Sequence, residues 1–421
     1  MKRLSIIAAV ATFAAWAGLS LAQPLPNSLP GLPPDDMVRQ ALQSHPDTLA
    51  AASEVRQETA NRDRLEAGEY EWNLSVGGQQ RRTKPRGAAD ENFKEWNVAL
   101  ERPLRLPGKA ATDAEIGAGG IARAETAYGD AVHETKRDLL KSWFAWLKES
   151  AVAGQWAAQA ELIERQARMI GRRLQLGDAA RRESVQAEAA LAQAQAQAIQ
   201  AAARQQAARE TLRRRYPALV LGEPADIGEP PMPTGSDEEW LAAVAEHSHE
   251  LALARQQTRL AELAATRQRQ ERTPDPSIGL AFSSERGGEE QVVGAFIKIP
   301  LAGGARRAAE QGAQAAADAT RYREAALARQ IALTTATAVH SARSAHAAWQ
   351  ASRTAAAQLQ QAADMEARAY QLGEGSLNEW LTALRLANEA QLASRSNQLE
   401  ALEQIYRLQL DAHRLWEFGD E

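Results

Sequence analysis

The chain has 421 residues, no cysteine, 5% aromatic residues and a formal charge of −5. Without cysteine there are no disulfides, and without a basic excess there is no electrostatic footprint for nucleic acid. Alanine dominates and 24% of residues are charged, a mixture that favours long helices over a thick globular core.

Met1-Lys2-Arg3 precedes a mostly apolar run from Leu4 to Leu19, followed by Ser20-Leu21-Ala22. A positive start, an apolar stretch and small residues at −3 and −1 predict a secretory signal peptide over 1–22, cut after Ala22. An uncleaved anchor is the alternative, for which the run is short. Cleavage leaves the chain two units more negative and exposes no cysteine for lipid attachment. No other run approaches 18 apolar residues, so entry into a membrane requires strands.

Residues 23–34 form a Pro-rich arm. A first unit over 35–216 follows. Asp35 caps a short helix, and Pro46 opens a longer one to about Tyr70. Trp72-Asn73-Leu74-Ser75-Val76 and Trp96-Asn97-Val98-Ala99-Leu100-Glu101 alternate with period two. They predict a β-hairpin over 72–102 around the basic loop Arg81 to Arg86, read as a solvated external loop. Pro103 and Pro107 end it. From 109 to 175 no proline interrupts a helical composition, which predicts a helix of about 100 Å. Gly117, Gly119 and Gly120 are expected to loosen it locally. A tip at 176–179 and a helix over 179–216 complete the unit.

A Pro-rich linker spans 217–235, and the pattern restarts over 236–421. Asp237 opens a short helix, and His249-Glu250-Leu251 stands where Pro46-Asp47-Thr48 stood, at an offset of 203. A hairpin over 276–300, a long helix over 303–372, a tip at 373–375 and a helix over 376–417 follow. Pro300-Leu301 matches Pro103-Leu104 at an offset of 197. At the tips, Arg172, Gln175-Leu176-Gly177 and Glu183 match Arg368, Gln371-Leu372-Gly373 and Glu379 at 196. The chain is thus two copies of helix, hairpin, long helix, tip and helix. A glycine closing a long helical pattern reads as a C′ cap, where positive φ costs it least.

Four strands of membrane-crossing length cannot close a barrel within one chain. Two chains would give eight strands and a filled interior; three would give twelve and room for a lumen. Trp72, Leu74, Val76, Trp96, Val98 and Leu100 are expected to meet lipid; Asn73, Ser75, Asn97 and Glu101, water. Trp72 suits the inner aromatic girdle and Phe93 or Phe282 the outer one. Ala-rich faces such as Ala189 to Ala198 permit close helix approach but bury little, so these helices need partners along their length.

In this layout the chain resembles the TolC-like outer-membrane efflux family. The resemblance rests on the duplication, on Pro103-Leu104-Arg105-Leu106-Pro107-Gly108-Lys109 with its counterpart Pro300-Leu301-Ala302-Gly303-Gly304-Ala305-Arg306, and on the Leu-Gly tips with an acid six residues on. It implies a mainly α fold with a small β part: a homotrimer with a 12-strand barrel and a 12-helix periplasmic tunnel. It further implies an outer-membrane exit duct of a tripartite efflux system, without enzymatic activity or cofactor. Its partners would be a periplasmic adaptor and an inner-membrane pump of the resistance-nodulation-division type. The compact size looks most like the heavy-metal ducts; drug, solvent or type I secretion ducts are the alternative. A soluble periplasmic coiled-coil adaptor or scaffold is the reading from another class, although an adaptor normally has one hairpin flanked by β-domains.

Carried onto this sequence, the adaptor-docking tips fall on Leu176, Gly177, Asp178, Leu372, Gly373 and Glu374. The gate candidates are Tyr370, Glu379 and Glu183, with Thr382 where a further acid can occur. A ring of three Glu379 carboxylates would attract cations; alternatively Glu379 is a solvated carboxylate favoured by the helix dipole near Ser376. His247 and His249 are two apart, off a common helix face, with no third ligand near them in sequence, which argues against a metal site. Trp143, Phe144 and Trp146 are expected to pack against the linker. No nucleophile elbow, phosphate loop or paired-carboxylate spacing occurs.

Overall fold

In the computed structural model the described residues are 29, 31–84, 86–87, 89–222 and 227–418. The signal peptide expected over 1–22, and most of the Pro-rich arm, lie outside them.

The first unit consists of α1 (Asp35–Ser44), α2 (Pro46–Ala67), β1 (Asn73–Thr83), β2 (Glu91–Pro103), α3 (Lys109–Gln175) and α4 (Arg181–Arg215). The second repeats it as α5 (Asp237–His247), α6 (His249–Gln270), β3 (Ser277–Glu285), β4 (Glu290–Lys298), α7 (Gly304–Leu372) and α8 (Leu377–Asp411). The sheet is antiparallel throughout, in the order β1-β2-β3-β4. The two hairpins therefore join edge to edge through β2 and β3. The long helices pair within units, α3 with α4 and α7 with α8, while α6 packs on both α3 and α7. α8 ends at Asp411 rather than near 417, because His413 turns into the left-handed region at φ 51°.

The glycines of α3 do not loosen it; the helix runs unbroken through them. They admit neighbours instead. A Cβ on Gly117 would meet Arg62 of α2 at 2.8–3.1 Å, its Cα included, and one on Gly120 would meet the Glu58 carboxylate at 2.9 Å. Glycine here lets α2 approach the α3 backbone.

The main core lies midway along the long helices. Leu139, Leu140, Phe144, Trp146 and Leu147 of α3 meet Leu212 and Tyr216, Val339 of α7, and Leu399, Leu402 and Tyr406 of α8. Leu219 and Ile227 of the linker join this cluster, and the Trp143 indole N–H donates to the Gly31 carbonyl at 2.7 Å. The aromatic stretch thus anchors both the linker and the segment before α1.

Where strands turn into helices, one charge network binds the two units. Lys109, nearly buried, places Nζ 3.2 Å from Glu271 and 3.0 Å from Asp275. Arg306, its counterpart in the second unit, reaches the same Glu271 at 2.8 Å. Asp113 accepts from Arg105 at 3.1 Å and from Arg267 at 2.6 Å. Burial works against the charges of Glu271 and Asp275. Hydrogen bonds nevertheless hold both below the usual carboxylate range: from Arg267 and Lys109 to Glu271, and from the Leu106 amide, Lys109 and Tyr70 to Asp275. Tyr70, partly buried and donating to Asp275 at 3.0 Å, is pushed up to about 12. The basic residue after each Pro-Leu motif thus has a structural use: both pin the helix end of the sheet to the helices.

Gly117→Ala is expected to lower the melting temperature of the detergent-extracted protein. Gly154→Ala in the same helix, with open space around its Cβ, should stabilise it by about 1 kcal/mol through helix propensity. Equal shifts would show that Gly117 makes no close approach.

Candidate functional site

Both tips close with the same backbone bonds. The Asp178 N–H donates to Arg173 O at 2.7 Å and Gly177 N–H to Leu174 O at 3.0 Å. In the second copy Glu374 donates to Ala369 at 2.9 Å and Gly373 to Tyr370 at 3.1 Å. Gly177 at φ 81° and Gly373 at φ 79° occupy C′ of this pattern, where a Cβ is disfavoured. Neither has atoms within 4 Å of an added Cβ, so conformation, not crowding, requires glycine. The cap turns Leu176 and Leu372 outward, 83% and 74% exposed. Asp178 and Glu374 are exposed beside them.

Behind the tips the two copies are tied together. Tyr370 stacks on Trp380 with centroids 5.5 Å apart and 19° between planes. Its hydroxyl donates to Glu183 of α4 at 3.1 Å and accepts from Arg173 of α3 at 3.3 Å. Burial, then the Glu183 charge, raises the Tyr370 pKa. Ile170, Ala187, Leu377 and Trp380 form a small core around this link. The sequence signal for Tyr370 and Glu183 was separate; their contact is a product of the fold.

Glu379 stands apart from that link. It accepts from the Ser376 N–H at 2.9 Å and the Ser376 hydroxyl at 2.8 Å, while its own N–H donates to Ser376 Oγ at 3.2 Å. This capping box satisfies the first turn of α8. The bonds from Ser376 hold the Glu379 carboxyl below its usual pKa. Thr382 lines a groove between α3, α4 and α8 with Gln193, Arg385 and Glu389.

At the other end the sheet has two unlike faces. Register puts Leu74 opposite Leu100 and Val76 opposite Val98, then Val98 opposite Phe282 and Leu100 opposite Leu280. Trp72, Leu74, Val76, Trp96, Leu280, Val293 and Ile297 are exposed on this apolar side. The opposite side carries Glu95, its side chain 2% exposed, paired with Arg81 at 3.1 Å and accepting from Gln79 at 2.8 Å. Arg81 also reaches Glu285 of β3 at 3.0 Å. Arg81 is therefore a strand residue within a cross-strand network, not part of a solvated loop. Phe93 lies opposite Arg81, so the alternation of β2 puts it on the polar side and excludes it from an outer girdle. Phe282, against Trp96 with centroids 5.3 Å apart, is on the apolar side.

Among the described residues no group of three or more metal-ligating side chains is assembled, and no helix is long and apolar enough to cross a membrane. The fold does bring His133 and His413 to His247 and His249, a gathering that sequence spacing did not reveal.

No protein-family model matches the chain, and no curated protein matches it in sequence. Solved structures do match. The outer membrane protein VceC of Vibrio cholerae is 16% identical, covering 90% of this chain and 95% of its own, with TM-score 0.72. The outer membrane channel CmeC of Campylobacter jejuni is 14% identical over 100% and 96%, also at 0.72. CusC, studied for its folding and transmembrane channel formation, is 15% identical over 89% and 91%, at 0.70.

An alanine at Gly177 or Gly373 is expected to strain its tip by about 1 kcal/mol. Trypsin should then cut after Arg172 or Arg173, or after Arg368, about fivefold faster; an unchanged rate would remove the positive-φ argument. The chain has the fold of the TolC-like outer-membrane channels.

Proposed function

We propose that this protein is the outer-membrane exit duct of a tripartite efflux system. One observation carries the proposal: the apolar face of the sheet is exposed while the outer edges of β1 and β4 pair with nothing else among the described residues. Three copies would join β4 of one to β1 of the next and close twelve strands around a lumen. The apolar face would meet lipid, and the side with Glu95, Arg81 and Glu285 would line the passage. The long helices would continue the passage through the periplasm to the tips.

The exposed leucines of the tips, Leu176 and Leu372, offer a small apolar foothold flanked by Asp178 and Glu374 to a periplasmic adaptor. The Tyr370–Glu183 link holds neighbouring hairpins together at that end and is suited to control how far the tips spread. Glu379 would add a ring of carboxylates near the axis. The duct is passive; an inner-membrane pump supplies the energy and chooses the cargo. The compact chain fits the heavy-metal ducts, with drug or solvent export the second choice. A soluble scaffold would leave the sheet's apolar face in water.

Adjacent residues on opposite faces test the membrane assignment. Leu280→Arg should abolish assembly into the outer membrane, since arginine facing lipid near the midplane costs about 2–4 kcal/mol. Ala281→Arg, on the opposite face, should assemble and change only conductance. Membrane insertion of both variants alike would refute the lipid face. Glu379→Gln should reduce cation preference in bilayer recordings, and Gly177→Asp or Gly373→Asp should lower export at unchanged yield of the assembled protein. Unaltered selectivity would leave Glu379 with capping alone, and unaltered resistance would remove the docking role.

A further inference from the structure

The apolar side of the sheet ends in basic residues. Alternation puts Lys94 and Arg102 of β2 on the same side as Leu100; register places Lys94 opposite Gln80 and Arg102 opposite Ile278. Both are exposed. From Lys94 to Arg102 the strand has about the nine residues that a tilted strand needs to cross a bilayer. Lys94 marks the loop end of this band and Arg102 the helix end.

At the helix end the guanidinium is held in place. Arg102 Nε donates to the Tyr70 carbonyl at 3.1 Å, and its Cζ lies 5.5 Å from the centroid of the Trp72 ring. Tyr70 is itself fixed, since its hydroxyl donates to Asp275 at 3.0 Å within the charge network that joins sheet and helices. The carboxylates around it are engaged. Glu101, on the polar side of β2, pairs with Lys298 at 3.5 Å, Glu69 with Arg64 at 3.9 Å and Asp275 with Lys109 at 3.0 Å. Among the described residues Arg102 itself pairs with no acid, the exposed Glu71 included. Oriented by one carbonyl and one ring face, it keeps its Nη donors for a further acceptor.

A groove opens beside it on the same side of the sheet. Trp72, Leu100, Ile278, Leu280, Ala295 and Ile297 line a space of about 530 Å³ open to the outside. Ala295 lies opposite Leu280 and Ile297 opposite Ile278, so the small residue leaves room between larger ones. The lining suits a hydrocarbon chain. Trp72 and Arg102 stand at its helix end, where the polar end of such a chain would emerge.

We propose that Arg102, Trp72 and this groove bind one phospholipid of the periplasm-facing leaflet, its phosphodiester on the guanidinium and an acyl chain along the groove. The site rests on the reading of this side of the sheet as lipid-facing. A guanidinium is costly in hydrocarbon, but at headgroup level its planar fork meets a phosphate in charge-assisted hydrogen bonds. An indole beside it belongs at the same level. Because Arg102 is bonded to Tyr70, and Tyr70 to Asp275, the bound lipid adds a contact to the junction between sheet and helices. Among the described residues no ring underlies the Lys94 ammonium, so the same charge at the other end lacks this orientation.

Native mass spectrometry of the intact detergent-extracted protein tests this. The titrants are phosphatidylglycerol and the diacylglycerol with the same chains, which lacks the phosphate. One phosphatidylglycerol should bind per chain, about tenfold more tightly than diacylglycerol. Arg102→Gln should weaken phosphatidylglycerol binding about tenfold, whereas Lys94→Gln, removing the same charge from the other end of the band, should not. Ala295→Phe, which fills the groove with an apolar ring, should weaken it as well. Equal binding of the two lipids, equal binding by wild type and Arg102→Gln, or equal losses in Arg102→Gln and Lys94→Gln would overturn the site while leaving the lipid-facing reading intact. Should Arg102→Gln yield no extractable protein, unchanged binding in Ala295→Phe would overturn it. Recovery of the wild-type chain from the soluble fraction without detergent would remove the lipid-facing reading and the site with it.

Discussion

Hydrogen bonding at the two edges of a four-strand sheet is the constraint that the remaining structure answers to. Among the described residues β1 pairs only with β2 and β4 only with β3. Each edge presents a row of amides and carbonyls, and one face of the sheet is apolar and exposed. In water such a sheet would aggregate; in lipid its edges would be unsatisfied. Closure with other copies of the chain, as proposed, would resolve both problems together.

Such closure would require that every copy hold its sheet at the same angle to its helices. The network around Glu271 and Asp113 would provide that fixity, since Lys109 and Arg306 come from the two units and converge on one carboxylate. Long Ala-rich helices then carry the geometry away from the sheet. They bury little per residue, and the thick core at mid-length compensates by gathering the linker, α1 and the segment after α8 around α3. At the far end, two equivalent glycine caps turn the chain with the same backbone bonds.

Much of this was legible in the sequence because punctuation carried it. Proline and glycine recur at offsets between 203 and 196, and each marks a place where the backbone changes direction. Alternation gave the sheet its two faces, and φ-positive glycines gave the tips. What could not be read was contact between distant segments. Gly117 and Gly120 looked like weak points until α2 was seen lying against them. Phe93 looked like a girdle residue until register put it opposite Arg81. Tyr370 and Glu183 are 187 apart in sequence and share a hydrogen bond. His413 carried no local motif; only the fold brings it to His133 and His249.

The central claim is that one chain is an incomplete channel. Its most direct test is the mass of the outer-membrane particle extracted in detergent, measured by light scattering with the detergent contribution subtracted. Three chains per particle is the result expected from a twelve-strand barrel. A monomer recovered from the soluble periplasm would leave the sheet edges unpaired and contradict the account.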